Sequence, residues 1–238
     1  IFKKIELINI PGLGKFEGYA NRDSLKYLEI YDIKNVDTLL RGTLRNKGFC
    51  SSWDIIVELG LTDPNDYIKN ASEMTHKSFI KSKLNHLKGE NVKALVSSYF
   101  KVDSNSEEMN NLEWLGLFSN EPIGVKSGTY AEVLEHILKK KWTIANNEKD
   151  RVIMFHRLKF SKNGIEKILE SFLVIEGENH IDTAMAKSVG LPIGILIKEI
   201  LLNKITLRGI NLPTSKNIYN PILKELEDHN IIFNETVY

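Results

Sequence analysis

The chain has 238 residues, of which 42% are hydrophobic and 26% charged, a composition typical of a globular protein with one large domain or two small ones. Its 32 Lys and Arg nearly balance its 31 Asp and Glu, which excludes the broad positive field of nucleic-acid-binding or membrane-surface proteins, so any selectivity for anions must be local. The single cysteine, Cys50, excludes an intrachain disulfide, and no uncharged apolar run is long enough to span a membrane. We therefore expect a cytoplasmic location. Since the sequence starts at Ile1 rather than at a methionine, we also expect it to belong to a longer protein.

The first predicted elements are two strands, over residues 5–10 and 15–19. A helix is predicted to begin at Ser24, because a serine hydroxyl can accept a hydrogen bond from a free amide at a helix start. Residues 36–44 combine β-branched residues with leucines and predict a third strand, which would place the segment 41–45 at its end.

The middle of the chain is predicted to be helical. From Trp53 to residue 118, apolar residues recur at helical spacing between short polar breaks, which predicts a small helical lobe. A further helix is predicted to begin after Thr129, a candidate cap, and to end at Lys139-Lys140-Lys141, where the cations offset the negative end of the helix dipole.

The last part of the chain combines a hairpin with helices. Alternating residues over 151–160 and 167–177 predict a β-hairpin that turns near Asn163-Gly164. Helices are predicted over residues 184–203 and 220–230, followed by a short strand at 231–233. The apolar faces of these helices are wide, so another surface must cover them.

These elements predict an α/β (α+β) fold, in which a mixed sheet with flanking helices carries a small all-helical lobe and is followed by a C-terminal helical segment. We expect residues 1–50 and 119–180 to form the α/β domain, residues 51–118 the helical lobe, and residues 181–238 the C-terminal helices and strand.

The turn Pro11-Gly12-Leu13-Gly14 after the first strand is reminiscent of a dinucleotide-binding loop, in which backbone amides at a helix start contact a pyrophosphate. The spacing argues against that interpretation, because the third glycine of the fingerprint would fall on Glu17 and the next segment is predicted to be extended. We therefore interpret the segment as a plain turn. Metal-binding motifs with paired cysteines or His-Glu-x-x-His do not occur either, and we expect no metal.

Two short polar segments are candidates for an anion site. Asn21-Arg22-Asp23-Ser24 follows the second strand, and Arg41-Gly42-Thr43-Leu44-Arg45 ends the third. A guanidinium binds a carboxylate through two parallel hydrogen bonds, so three arginines beside Ser and Thr donors suit a ligand with several carboxylates. The residues alone leave open the alternative that these arginines pair with acidic side chains on the surface.

The same segments resemble a signature of the saccharopine dehydrogenases (L-glutamate-forming) and of the matching half of bifunctional aminoadipate-semialdehyde synthases. Four further blocks match in the same order: 113–117, 148–154, 183–192 and 218–223. Two residues depart from the pattern, since Ala20 stands where the family usually has proline and Asn46 where it usually has tyrosine. These departures put the ligand preference or affinity in doubt rather than the arginines.

The resemblance implies an oxidoreductase of lysine metabolism, in which NAD or NADP oxidises saccharopine and water releases glutamate and 2-aminoadipate 6-semialdehyde, or the reverse. It implies that the α/β domain binds saccharopine and glutamate, through Asn21, Arg22, Asp23, Ser24, Arg41, Gly42, Thr43 and Arg45. It also implies that a nucleotide-binding domain outside this chain holds most of the cofactor and is covered by the C-terminal helices, and a homodimer is one candidate assembly.

The rival hypothesis is a non-catalytic amino-acid-binding or assembly module that kept the fold without binding nucleotide. An unrelated α/β domain with structurally paired arginines is a weaker third option.

The sequence does not identify an acid–base residue. His156, at a predicted strand end, is a weak candidate because imidazole titrates near neutrality, and a local structural role is the alternative. Cys50 is expected to be a small packing residue. The remaining histidines are expected at the surface: His76, His86, His136, His180 and His229.

Overall fold

The computed structural model describes residues 1–21 and 23–238, and these residues form eight α-helices, one short 3-10 turn and eight strands. The helices are α1 (Tyr27–Ile30), α2 (Phe49–Glu58), α3 (His76–Ser82), α4 (Val92–Phe100), α5 (Glu107–Trp114), α6 (Tyr130–Trp142), α7 (Ala184–Leu201) and α8 (Lys216–Asp228), with the 3-10 turn at Ala71–Glu73. The strands are β1 (Ile5–Ile10), β2 (Gly14–Ala20), β3 (Gly42–Asn46), β4 (Tyr67–Ile68), β5 (Gly128–Thr129), β6 (Arg151–Lys162), β7 (Ile165–Glu176) and β8 (Asn234–Val237).

The chain divides into two compact units, the first made of Ile1–Asp23 and Leu40–Thr143, the second of Ser24–Leu39 and Ile144–Tyr238. The predicted α/β class is confirmed. The strands differ from the predicted mixed sheet, because the described strands pair antiparallel in three small sheets, of order β1-β2-β3, β4-β5 and β6-β7-β8. Short connections such as those between β1 and β2 and between β6 and β7 permit only antiparallel pairing, since parallel strands need a longer crossover.

The first unit joins the sheet β1-β2-β3 to the helices α2 to α6. Its apolar core lies among those helices, where side chains such as Ile56, Phe79 and Leu112 are almost fully buried. The helix after Thr129 was predicted correctly, because the Thr129 hydroxyl accepts from the amide of Glu132 (3.2 Å) and the Glu132 carboxylate accepts from the amide of Thr129 (2.8 Å).

The second unit consists of the hairpin β6-β7 with β8, together with α1, α7 and α8. The predicted turn at Asn163-Gly164 is confirmed, and both residues adopt the positive φ that a tight hairpin turn needs. The core of the unit includes Leu173, Ile195 and Ile222.

Helix α7 begins where Asp150 and Thr183 accept hydrogen bonds from its free amides. The Asp150 carboxylate accepts from the amides of Ala184 (2.6 Å) and Met185 (2.9 Å), and the Thr183 hydroxyl accepts from the amide of Ala186 (3.0 Å). The helix carries an exposed apolar stripe at four-residue spacing, formed by Met185, Val189, Ile193, Ile197 and Leu201. The predicted wide apolar face is therefore present, and these residues are 52% to 76% exposed.

Four predicted boundaries were wrong, the first being the helix expected from residue 220, which begins at Lys216. The helix expected from Ser24 is a single turn that begins at Tyr27, and its N-cap position is Lys26. Only the end of the predicted third strand is extended, at β3, and the last strand begins at Asn234 rather than at residue 231. For the two strands, the β-branched and leucine-rich composition gave no signal for where pairing with a distant strand starts. Within the described ranges, no helix combines the length and the apolar character needed to cross a bilayer.

Candidate functional site

The candidate anion site lies where the end of β2 meets the start of β3. The two strands pair so that Tyr19 is opposite Thr43 and Ala20 is opposite Gly42. The pairing continues one residue beyond β2, since the amide of Asn21 donates to the carbonyl of Arg41 (3.0 Å). The Asn21 side-chain amide also donates to the Thr43 hydroxyl (2.9 Å). The structure therefore brings together four of the predicted residues: Asn21, Arg41, Gly42 and Thr43.

Gly42 is required at this junction by the close approach of the two strands. A Cβ added at position 42 would lie 2.7 Å from the carbonyl oxygen of Tyr19, closer than such atoms approach in proteins. The glycine between Arg41 and Thr43 therefore has a packing reason, because a side chain at position 42 would push β3 away from β2.

Arg45 lies on the same face of β3 as Thr43, two residues further along the strand. Its guanidinium lies over the ring of Phe49, at 5.3 Å from the ring centroid, and Nη1 donates to the carbonyl of Leu44 (2.8 Å). The side chain is exposed and is directed toward the start of α2. Arg45 thus shares a strand with the junction but is held beside an aromatic ring.

Three predicted residues lie outside this described junction or at its edge. Arg22 lies outside the described residues. Asp23 is exposed and belongs to the first unit, whereas Ser24 is partly buried and belongs to the second. The Ser24 carbonyl accepts from the amide of Tyr27 (3.1 Å).

Glu17 was missed by the sequence reasoning and proves to organise the end of β3. Its side chain is 5% exposed, and its carboxylate accepts from the amides of Gly48 (2.7 Å) and Cys50 (2.8 Å), at the start of α2. A carboxylate there satisfies free helix amides and offsets the positive end of the helix dipole. Glu17 is opposite Arg45 in the strand register. We refer to the Glu17 carboxylate with the amides of Gly48 and Cys50 as the Glu17 cap, which fixes the turn after β3. One signal was available, since strand alternation places Glu17 on the same face as the buried Tyr19.

Cys50 is fully buried next to the Glu17 cap, which confirms its expected packing role. Burial, and after it the hydrogen bond with Glu17, raises the pKa of the Cys50 thiol from 9.0 to about 12. A thiol in this environment stays protonated at neutral pH and is a poor nucleophile.

The histidines do not supply a clear acid or base. His156 lies on β6 with its ring edge against Phe233 (5.8 Å between centroids), and burial lowers its pKa below the usual 6.5. The expectation that His76 is at the surface was wrong, because it is buried at the first position of α3. Its Nδ1 lies 3.1 Å from the carbonyl oxygen of Gly116, and its Nε2 has no hydrogen-bond partner among the described residues.

Comparisons with known proteins agree with the resemblance seen in the motifs. A sequence model of the family described as "Saccharopine dehydrogenase C-terminal domain" matches residues 1–232. The mitochondrial alpha-aminoadipic semialdehyde synthase of Rattus norvegicus is 35% identical over 231 residues, which cover 94% of this chain and 24% of that protein. The saccharopine dehydrogenase (NADP(+), L-glutamate-forming) of Pyricularia oryzae is 30% identical over 230 residues, which cover 92% of this chain and 50% of that protein.

A solved structure has the same fold. The chain is similar to apo histidine-tagged saccharopine dehydrogenase (L-Glu forming) from Saccharomyces cerevisiae, with a TM-score of 0.86 and 28% sequence identity. The match covers 100% of this chain and 55% of the yeast chain. The 238 residues thus span about a quarter of the synthase and about half of the dehydrogenases.

Proposed function

Because the chain belongs to the saccharopine dehydrogenase C-terminal domain family, we propose that it is the saccharopine-binding part of an NAD(P)-dependent saccharopine dehydrogenase of lysine metabolism. The complete reaction would convert saccharopine, NAD(P)+ and water to glutamate and 2-aminoadipate 6-semialdehyde, or run in reverse. The observation that carries the proposal is the junction of β2 and β3, where Asn21 is hydrogen-bonded to both Arg41 and Thr43.

The chemistry of the ligand suits the predicted site residues. Saccharopine carries three carboxylates and a secondary amine. We assign Arg22, Arg41 and Arg45 to the carboxylates, since a guanidinium offers two parallel donors in the geometry that a carboxylate accepts. Thr43 and Ser24 would add neutral donors. Asp23 would accept a hydrogen bond from a ligand ammonium group.

The turn at Gly12 and Gly14 does not fit a dinucleotide. Gly12 lies in the turn between the antiparallel strands β1 and β2, and Gly14 is the first residue of β2, whereas a dinucleotide loop leads from a strand into a helix. No step of hydride transfer is therefore assigned to this chain, and the cofactor supplies that chemistry when bound elsewhere in the protein. We propose that residues outside these 238 hold it, which agrees with the greater length of the relatives.

The proposed domain roles follow the same reasoning. Residues 1–50 and 119–180 would form the substrate-binding domain, with residues 51–118 as its helical lobe. Residues 181–238 would pack on the nucleotide-binding domain. The exposed apolar stripe of α7 supports this last role, because a stripe of that length on a helix is normally covered by another surface. We also propose a cytoplasmic location. We propose further that the protein is a homodimer, and light scattering tests that oligomeric state.

Titration calorimetry with saccharopine tests the binding role directly. Arg22→Ala and Arg41→Ala should each weaken binding tenfold or more, because loss of one partner from a buried charged pair costs about 2–5 kcal/mol. Arg208→Ala is the matched control, since that arginine is exposed and lies far along the chain from the junction. Unchanged affinity in both variants, or no binding of saccharopine or glutamate by the parent chain, contradicts the assignment.

The alternative is a non-catalytic amino-acid-binding or assembly module, and the strand-to-strand glycine turn is the observation that favours it. Thermal-shift measurements on the longest natural form of the protein separate the two, because a ligand that binds only the folded state raises the melting temperature increasingly as its concentration rises above its Kd. Stabilisation by NADP or NAD as well as saccharopine supports the dehydrogenase. Stabilisation by saccharopine or glutamate alone supports the module.

A further inference from the structure

The three tryptophans of the chain converge on one pocket of about 250 Å³ in the first unit. Trp53 lies on α2, Trp114 ends α5 and Trp142 ends α6, so three separate helices each deliver one indole ring. Phe49 adds a fourth aromatic side chain to the wall. We refer to the space lined by these four residues as the tryptophan pocket.

The rings of the tryptophan pocket are not packed away in the core. Trp114 is 59% exposed and Trp142 is 48% exposed, although tryptophan is one of the most costly side chains to leave in water. Trp53 and Trp142 are in contact, with 5.9 Å between ring centroids. The same two rings also line a neighbouring pocket of about 400 Å³, so this ring pair borders two cavities.

Two cations lie over the aromatic walls of the pocket. The Arg45 guanidinium is 5.3 Å from the centroid of the Phe49 ring, and the Lys141 ammonium is 5.7 Å from the centroid of the Trp114 ring. Among the described residues, neither cation forms an ion pair with a carboxylate, whereas the nearby Lys47 is 3.5 Å from Glu107. Arg45 and Lys141 do not line the pocket themselves, but they place positive charge at its rim, beside two of its aromatic side chains.

We propose that the tryptophan pocket binds a small planar aromatic ligand that carries an anionic group. Indole rings offer flat, polarisable surfaces for an aromatic ring, and the exposed cations at the rim offer partners for a carboxylate or phosphate. A space of about 250 Å³ is large enough for one or two fused rings. This ligand class differs from saccharopine, which has no aromatic ring, and the inference therefore does not rest on the proposed function.

The test uses three probes of similar size: 1-naphthoate, its neutral analogue 1-naphthalenemethanol, and the non-aromatic anion cyclohexanecarboxylate. The indole N–H signals of the three tryptophans are followed in ¹⁵N-correlation NMR spectra of the full chain during titration. All three signals should shift with 1-naphthoate, at an affinity at least tenfold higher than with either comparison probe. No shift at millimolar 1-naphthoate, or equal affinity for the neutral analogue, overturns the proposal.

Two variants locate the interaction. Trp114→Leu should abolish binding of 1-naphthoate, and Lys141→Gln should weaken it at least threefold while leaving the neutral analogue unaffected. Lys141 is exposed, so Lys141→Gln should fold even if Trp114→Leu does not. Unaltered binding of 1-naphthoate by Lys141→Gln overturns the assignment of the rim charge. Saccharopine titrations of Lys141→Gln keep the two sites distinguishable, because that affinity should not change.

Discussion

Replacement of Glu17 by glutamine should destabilise the first unit more than the same replacement of an exposed glutamate. The Glu17 carboxylate accepts two backbone hydrogen bonds at the start of α2, from Gly48 and Cys50. Glutamine keeps one acceptor oxygen but turns its own N–H₂ toward the second amide, so one buried amide loses its acceptor. Hydrogen bonds to charged groups contribute roughly 1.5–3 kcal/mol and an unsatisfied buried donor costs about 1–3 kcal/mol, so the free energy of unfolding should fall by about 2–4 kcal/mol.

Urea unfolding measures the effect, with tryptophan fluorescence as the signal because Trp53 lies on the helix that Glu17 caps. Glu135→Gln is the control in the same unit. Glu135 is exposed on α6 and pairs with Lys139 at 2.8 Å, one helical turn away, so its replacement should leave the free energy of unfolding almost unchanged. A loss below about 1 kcal/mol for Glu17→Gln, or one equal to that of the control, refutes the reasoning that this carboxylate holds the end of β3.

Three further measurements test other parts of the first unit. Gly42→Ala should lower the free energy of unfolding by about 1–3 kcal/mol, because the added Cβ meets the Tyr19 carbonyl. Gly190→Ala, in the open part of α7, is the control and should be neutral or stabilising. Equal effects of the two substitutions would contradict the packing argument. Cys50 should react with iodoacetamide at pH 8 at least about a hundredfold more slowly in the folded chain than in urea, because its pKa is raised to about 12, and equal rates would contradict that environment. Burial lowers the pKa of His76, so its contribution to stability is present above pH 6.5 and is lost as the pH falls through the folded pKa. The urea midpoint should therefore drop between pH 7.5 and 5.5, and His76→Gln should reduce that drop. An identical drop in both proteins would contradict the assignment.

The parts of the fold that the sequence predicts well are those determined by neighbouring residues. The hairpin β6-β7 follows from alternation and from Asn163-Gly164, and α6 follows from the Thr129 cap and a helical apolar face. The first strand was placed at its observed bounds, because a single apolar segment ends at a proline and two glycines. In each of these elements, the signal lies within about ten residues of the structure that it specifies.

The parts that were missed depend on contacts distant in sequence. Glu17 meets the amide of Gly48 31 positions later, and strand composition does not reveal such a partner. Gly48 itself adopts a positive φ, and a Cβ there would lie 2.8 Å from the Glu107 side chain, so a residue on α5 helps to determine the turn after β3. His76 was expected at the surface for the same reason, since its burial is produced by the segment around Gly116, 40 positions away.

The segment from Gly42 to Phe49 connects the candidate anion site to the tryptophan pocket. Gly42 and Thr43 form the junction with β2, and Arg45 extends from the same strand to the ring of Phe49, which lines the pocket. The Glu17 cap fixes the turn between Arg45 and Phe49 by holding the first amides of α2. Movement of β3 along β2 would therefore displace Thr43 and Arg45 together, and with Arg45 the cation that lies over Phe49. For this reason a ligand that orders Arg45 over Phe49 would also restrict the strand that presents Arg41 and Thr43, and the two sites would be coupled through the backbone of β3 rather than through a shared ligand.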